Sequence, residues 1–198
     1  MSVSVPPAPA AEVPNDPIFR FSVEQYHEMI QAGILTDDDP VELLDGWLVT
    51  KMSKNPPHTI CTENLWEILV RLTPKGWFVR CQEPITTTDS EPEPDLFIVR
   101  GTRHDYQERH PGAEDVAIVI EVSDVTLERD RKTKQQIYAS ASIACYWIVN
   151  LQESCVEVYT DPADTTYAKS ERHEKDGTLT LRIDGNEIGQ IAVADVMP

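Results

Sequence analysis

Pro94-Asp95-Leu96-Phe97-Ile98-Val99 and Val116-Ala117-Ile118-Val119-Ile120-Glu121-Val122 are two apolar runs of strand length, each with a carboxylate at one end. A charged, amphipathic stretch from Glu128 to about Ala141 follows and carries Lys134. If the core strands pair as a meander, Asp95 and Glu121 stand at related ends of neighbouring strands. On the helix, Asp130, Lys134, Ile137, Tyr138 and Ala141 follow i, i+4, i+7 spacing and share one face. Ile137, Tyr138 and Ala141 suit packing on the sheet, so Lys134 points along the same face, one turn nearer the helix start, towards the acids. Charges turned inward are costly without partners, and that cost is the reason to suspect a site. Two acids on adjacent strands can hold a divalent metal, and a lysine beside them can stabilise an attacking water or a phosphate.

Outward from this unit, Ser22-Val23-Glu24-Gln25 is a capping box opening a short helix that Gly33 closes. Val41-Glu42-Leu43-Leu44, Asp45-Gly46 and Trp47-Leu48-Val49 spell a tight hairpin. Pro56-Pro57 precedes a helix from about His58 to Leu72, and Gly76 restarts the chain into a strand at Trp77-Phe78-Val79. Gly101 to Glu114 is charged and irregular, an insertion between the two key strands. Ala144-Cys145-Tyr146-Trp147-Ile148-Val149 suits a strand covered on both faces. The last third has the pattern of a β-meander: Cys155 to Tyr159, Tyr167 to His173, and Leu179 to Ile183 after an Asp176-Gly177 turn. Trp47, Trp77 and Trp147 lie in strand patterns and are expected in the core.

The 198 residues suit one domain over 18–198, preceded by an arm at 1–17 rich in Pro, Ala, Ser and Val. That arm lacks the basic start and apolar segment of a secretory signal, so it is read as disordered and the chain as cytoplasmic, with no membrane partner. Cys61, Cys81, Cys145 and Cys155 show no CxxC spacing and are expected as buried free thiols; a zinc site on His58 and Cys61 lacks a second ligand pair. Seventeen basic against 34 acidic residues give a net charge of -17. Such a chain binds nucleic acid weakly unless its cations gather at one mouth. The clear basic cluster is Arg129, Arg131, Lys132 and Lys134.

Pattern alone leaves a plainer reading open. An Asp after Pro is often a turn residue, Glu121 can be a solvated strand end, and Lys134 can pair with Asp130 on an exposed surface.

The ordered segments Val41-Glu42-Leu43-Leu44-Asp45-Gly46, Met52-Ser53 with His58, Glu93-Pro94-Asp95-Leu96, Ile118-Val119-Ile120-Glu121-Val122-Ser123-Asp124, Asp130-Arg131 with Lys134 and Tyr138, and Tyr146-Trp147-Ile148-Val149 resemble the Uma-two family of restriction endonucleases, in the PD-(D/E)XK nuclease superfamily. The resemblance runs from Phe21 to the C-terminal strands. It implies an α/β (α+β) fold, a restriction-endonuclease-like mixed central sheet flanked by helices, with the β-meander added. It implies catalytic roles for Asp95, Glu121 and Lys134, with Mg2+ or Mn2+ on Asp95, Glu121 and the backbone carbonyl of Val122. Ser123 stands where many superfamily members carry the catalytic lysine, which the resemblance moves to Lys134 on the helix. Glu42 either completes or supports the metal site or is a polar strand residue. His58 either contacts a phosphate or bonds backbone at the helix start. Asp124 and Asp130 are expected to cap the helix or to hold Lys134.

The leading expectation is a metal-dependent endonuclease acting on DNA, working as a homodimer or larger homo-oligomer because the meander edges need cover. A non-catalytic oligomeric binding protein that keeps the nuclease fold is the alternative, favoured by the acidic charge and the displaced lysine. A phosphoesterase acting on a smaller nucleotide is a third reading. Fold alone does not choose among them.

Overall fold

In the computed structural model, which describes residues 18–36 and 38–198, the two apolar runs form the centre of a six-stranded mixed sheet. The arm expected at 1–17 lies outside the described residues. The sheet runs in the order β3 (Trp77–Cys81), β4 (Leu96–Arg100), β5 (Val116–Ser123), β6 (Cys145–Asn150), β7 (Cys155–Ala163) and β8 (Thr166–His173). Only β5 and β6 are parallel; every other pair is antiparallel. A parallel pair needs a crossover, and here it is the helical stretch 127–140. That stretch divides into α3 (Leu127–Arg129), a π-turn (Asp130–Lys134) and α4 (Gln135–Ser140).

Alternation along the central strands sorts side chains to two faces. Leu96, Ile98, Ile118, Ile120 and Trp147 pack with Cys61, Leu65 and Leu69 of α2 (Pro56–Leu72). Phe97, Val99, Val119, Tyr146 and Ile148 pack with Ile137 and Tyr138 of α4. Both clusters are drawn from side chains almost wholly removed from water. Glu121 is two residues beyond Val119 and therefore shares the α4 face.

Two smaller units complete the chain. At the N-terminal side, α1 (Val23–Gln31) carries the expected capping box on Ser22 and Gln25. The hairpin of β1 (Val41–Leu44) and β2 (Trp47–Thr50) turns on Asp45 and Gly46, at φ of 50° and 75°. Glycine is required at the second of these, since an added Cβ would lie 2.6 Å from the Arg20 Cβ.

The C-terminal third differs from the single meander read from sequence. β7 and β8 extend the main sheet, whereas β9 (Thr178–Ile183) leaves it and pairs with β10 (Asn186–Ala192) in a separate two-stranded sheet. Leu179, Leu181 and Ile183 are buried in the α2 cluster together with Ile191 and Val193, the last in the short α5 (Val193–Val196). An unshared apolar face next to α2 draws the hairpin away from the sheet edge. Its turn, Asp184-Gly185, repeats the Asp-Gly signal of the first hairpin, with φ of 50° and 77°.

Trp147 is core, but Trp47 and Trp77 are half-buried beneath Arg20 and Arg100, 5.6 and 4.3 Å from the ring centroids. All four cysteines are free; Cys61 and Cys155 are buried, Cys81 and Cys145 partly so. Among the described residues no helix is long and apolar enough to cross a membrane.

Candidate active site

The register of β4 against β5 sets Leu96 opposite Ile120 and Phe97 opposite Val119. One further step in that register brings Asp95 opposite Glu121. The link is direct: the Val122 amide donates to Asp95 Oδ2 at 2.9 Å. His58, in the first turn of α2, places its Nε2 3.1 Å from the same oxygen. Asn55 fixes that turn, its Oδ1 accepting the His58 amide at 3.1 Å. The His58 ring thus bonds a side chain and not the backbone, and holds Asp95.

Glu121 meets the helix it faces. Its Oε1 accepts from Lys134 Nζ at 2.8 Å and from the Tyr138 hydroxyl at 2.8 Å. Lys134 Nζ also lies 3.3 Å from Glu42 Oε2, which is carried in by β1 and accepts the Glu93 amide at 3.1 Å. Lys134 is 4% exposed, with Glu42 at 1%, Glu121 at 4% and Asp95 at 7%. The exposed Lys134–Asp130 pair of the plainer reading is therefore overturned. All four line one cleft of about 100 Å³.

Asp124 and Asp130 make no direct ion pair with Lys134, and Asp130 acts on it only through its charge. Asp124 accepts from Asn55 Nδ2 at 2.6 Å and so ties the β5 end to the α2 cap. Asp130 accepts from Ser123 Oγ at 2.7 Å and Thr126 Oγ1 at 2.6 Å. The π-turn explains the departure. One extra residue in a turn shifts helical phase by roughly 100°, so Asp130 leaves the stack that Lys134 and Tyr138 keep. Nor do the cations form a cluster. Arg131 turns to Glu157, Lys132 to Glu128, and Lys134 is interior, leaving Arg129 at the cleft.

Two carboxylates, Glu42 and Glu121, share one buried ammonium with Asp95 close by, and the crowded charge shifts several of the site's titrating groups. Burial, with the charges of Asp130, Asp95 and Glu42, pushes Glu121 up to about 8 in spite of Lys134. Burial also works to raise Asp95. The His58 hydrogen bond and charge, the Val122 amide and Lys134 outweigh it and hold the carboxyl below its usual range. Burial pulls Lys134 down, but Glu121, Glu42 and Asp130 more than reverse this and its proton is held more tightly than an ordinary lysine's. The Tyr138 phenol, buried against Glu121, is raised well above its usual value.

One oxygen on Asp95 and one on Glu121 accept no hydrogen bond among the described residues. Neither is among the fully enclosed unpaired atoms, so both reach the open cleft. Hard oxygens with surplus charge fit a small divalent cation that keeps several waters. Among the described residues no three His, Cys, Asp or Glu side chains converge on one point. An ion here would rest on two carboxylates, a backbone carbonyl and water.

The Uma2 family model, described as "Putative restriction endonuclease", matches residues 23–188. The chain belongs to the Uma2 family. The Uma2 match takes in every element from α1 into β10, and so the whole cleft. Among solved structures, the chain is similar to "a putative nuclease belonging to DUF820 from Anabaena variabilis". The identity is 15% and the TM-score 0.65, over 91% of this chain and 97% of that one, a likeness of fold. No curated protein matches the chain.

Two contributions escaped the sequence reading. Tyr138 was assigned to packing alone, although a buried tyrosine hydroxyl usually needs a polar partner, and here that partner is Glu121. Ser123, read only as the site of a missing lysine, anchors Asp130. No spacing rule connects Asn55 to Asp124 across 69 residues.

Proposed function

We propose that the chain is a divalent-metal-dependent endonuclease that hydrolyses a phosphodiester bond of DNA at this cleft. The observation that carries the reading is the convergence of Asp95, Glu121 and Lys134, with one oxygen of each acid left open to the cleft. Asp95, Glu121 and the Val122 carbonyl would hold Mg2+ or Mn2+. When bound, such an ion would supply Lewis-acid charge and lower the pKa of the attacking water, so that it gives up a proton and becomes a nucleophile near neutral pH.

The chain's own residues do the positioning. His58 and the Val122 amide fix one Asp95 oxygen and leave the other directed at the cleft. Tyr138 and Lys134 do the same for Glu121. A lysine that keeps its proton this firmly is no base; Lys134 acts as a fixed positive charge beside a phosphate gaining negative charge. Glu42 is the second carboxylate that anchors that ammonium.

The test is plasmid nicking at low salt with Mg2+ or Mn2+, beside Asp95→Ala, Glu121→Ala and Lys134→Ala. Loss of nicking in the two acid variants, with cooperative unfolding retained, supports the proposal. Equal residual nicking by wild type and Asp95→Ala would return the non-catalytic binding protein as the better reading.

A further inference from the structure

We infer that Lys54 and Arg129 form a phosphate-docking rim that takes a single-stranded segment of nucleic acid across the cleft, an inference that rests on the nuclease reading above. Most cations of this acidic chain are spent on carboxylates, as in Lys51 with Glu93 at 2.9 Å. Lys54 and Arg129 line the cleft and have no carboxylate within ion-pair distance among the described residues. Arg129 is held in place by a bond from its NH1 to the Thr50 carbonyl, 3.1 Å away. Its NH2 makes no hydrogen bond among the described residues and, unlike Nε, is not enclosed. A guanidinium pinned at a cleft mouth with an unused donor is suited to a phosphate oxygen.

The remaining rim residues narrow the substrate. Met52 and Val125 also line the cleft, and they are 53% and 69% exposed. Exposed apolar side chains beside two cations suit unstacked bases, which offer apolar faces to a protein. A backbone-bound duplex asks for more, roughly 6–10 phosphate contacts in a tight complex. Two rim cations on a chain of net charge -17 do not supply that. A single strand needs fewer contacts and can bend to bring one phosphate down to Asp95 and Glu121.

The experiment is fluorescence anisotropy in EDTA, with a labelled DNA strand and its duplex titrated over a range of salt. The strand is expected to bind about tenfold more tightly than the duplex, with a log–log salt slope near -1.4 for two phosphates at ~0.7 each. Arg129→Gln and Lys54→Gln are each expected to weaken strand binding about tenfold and to reduce the slope to roughly -0.7. Lys75→Gln, an exposed lysine outside the cleft, is expected to bind as wild type. If Arg129→Gln loses its fold, Lys54→Gln, in an exposed loop, decides alone. Equal or tighter duplex binding, or unchanged slopes in folded variants, overturns the inference. Should wild type meanwhile nick DNA with metal, the nuclease reading survives that failure. If wild type neither binds nor cuts nucleic acid, the reading and the inference fall together.

Discussion

Replacing Lys134 by methionine removes the shared counter-charge of two interior carboxylates while keeping most of the side-chain volume. Glu121 and Glu42 lie 2.8 and 3.3 Å from its Nζ, and both are almost wholly enclosed. Breaking such a pair typically costs about 3–5 kcal/mol. The cost has a ceiling, because a carboxylate can escape by taking a proton. Neutralising one of ordinary pKa near 4.3 at pH 7 costs ~3.7 kcal/mol, at 1.36 kcal/mol per unit. Glu121, pushed up to about 8, already holds a proton in most molecules at pH 7, so a loss of about 3–4 kcal/mol at pH 7 is expected, close to one carboxylate's share. The sign with pH follows. A carboxylate whose folded pKa is raised gives stability that is present at low pH and lost as pH rises towards that pKa. Glu121 is protonated in both folded proteins below pH 7 and so cancels. The deficit of Lys134→Met should shrink from pH 7 to pH 5 only through a further carboxylate that takes a proton in the variant, by at most about 1.4 kcal/mol per unit. Urea unfolding of both proteins in EDTA at the two pH values measures it. A deficit below 1 kcal/mol at pH 7, or one that does not change with pH, would refute Lys134 as the counter-ion of this site.

Metal affinity should climb with pH from 6 to about 8 and then level, since a protonated Glu121 cannot ligate and up to one proton leaves per ion bound; calorimetry in buffers of different ionisation heat counts that proton. Tyr138→Phe deletes the hydroxyl bond to Glu121 and should lower stability by about 1.5–3 kcal/mol and metal affinity by 10–100-fold, read by urea melts and metal titration. His58→Ala should bring the Asp95 carboxyl back up towards the usual range, an increase to be followed by NMR titration; no change would remove His58 as its holder. Gly46→Ala forces a Cβ against Arg20 at positive φ and should cost more than 1 kcal/mol, with the loss confined to the first hairpin in hydrogen exchange.

The centre of this molecule was legible because its signals are local. Two apolar runs, a helical period and an Asp-Gly hairpin turn each act within a few residues, and together they placed Asp95, Glu121 and Lys134 in one neighbourhood. What failed depended on contacts far along the chain. Leu179, Leu181 and Ile183 alternate in the manner of any edge strand; their choice of partner depends on the open face beside α2, more than 100 residues earlier. The expected stacking of Asp130 with Lys134 followed from a straight helix, and nothing in Asp130-Arg131-Lys132-Thr133-Lys134 announces that the helix widens there. The grouping of basic residues dissolved for a related reason. Neighbours on a helix point in different directions: Arg131, Lys132 and Lys134 each found an acid, and Arg129 stayed at the cleft.

That widened turn also bears on descent. A π-turn lets a helix accept one more residue without unseating what lies on either side of it. Here Leu127 before the turn and Ile137 and Tyr138 after it all pack in one cluster, and the Tyr146 hydroxyl bonds the Asp130 carbonyl where the ladder is loosened. A single inserted codon in an ancestral straight helix would therefore have re-aimed the side chains of this segment while leaving the sheet untouched. The carboxylates belong to the strands, and their partner belongs to a segment that can change by insertion. An insertion in that segment can move the cation while the acids stay where the sheet holds them.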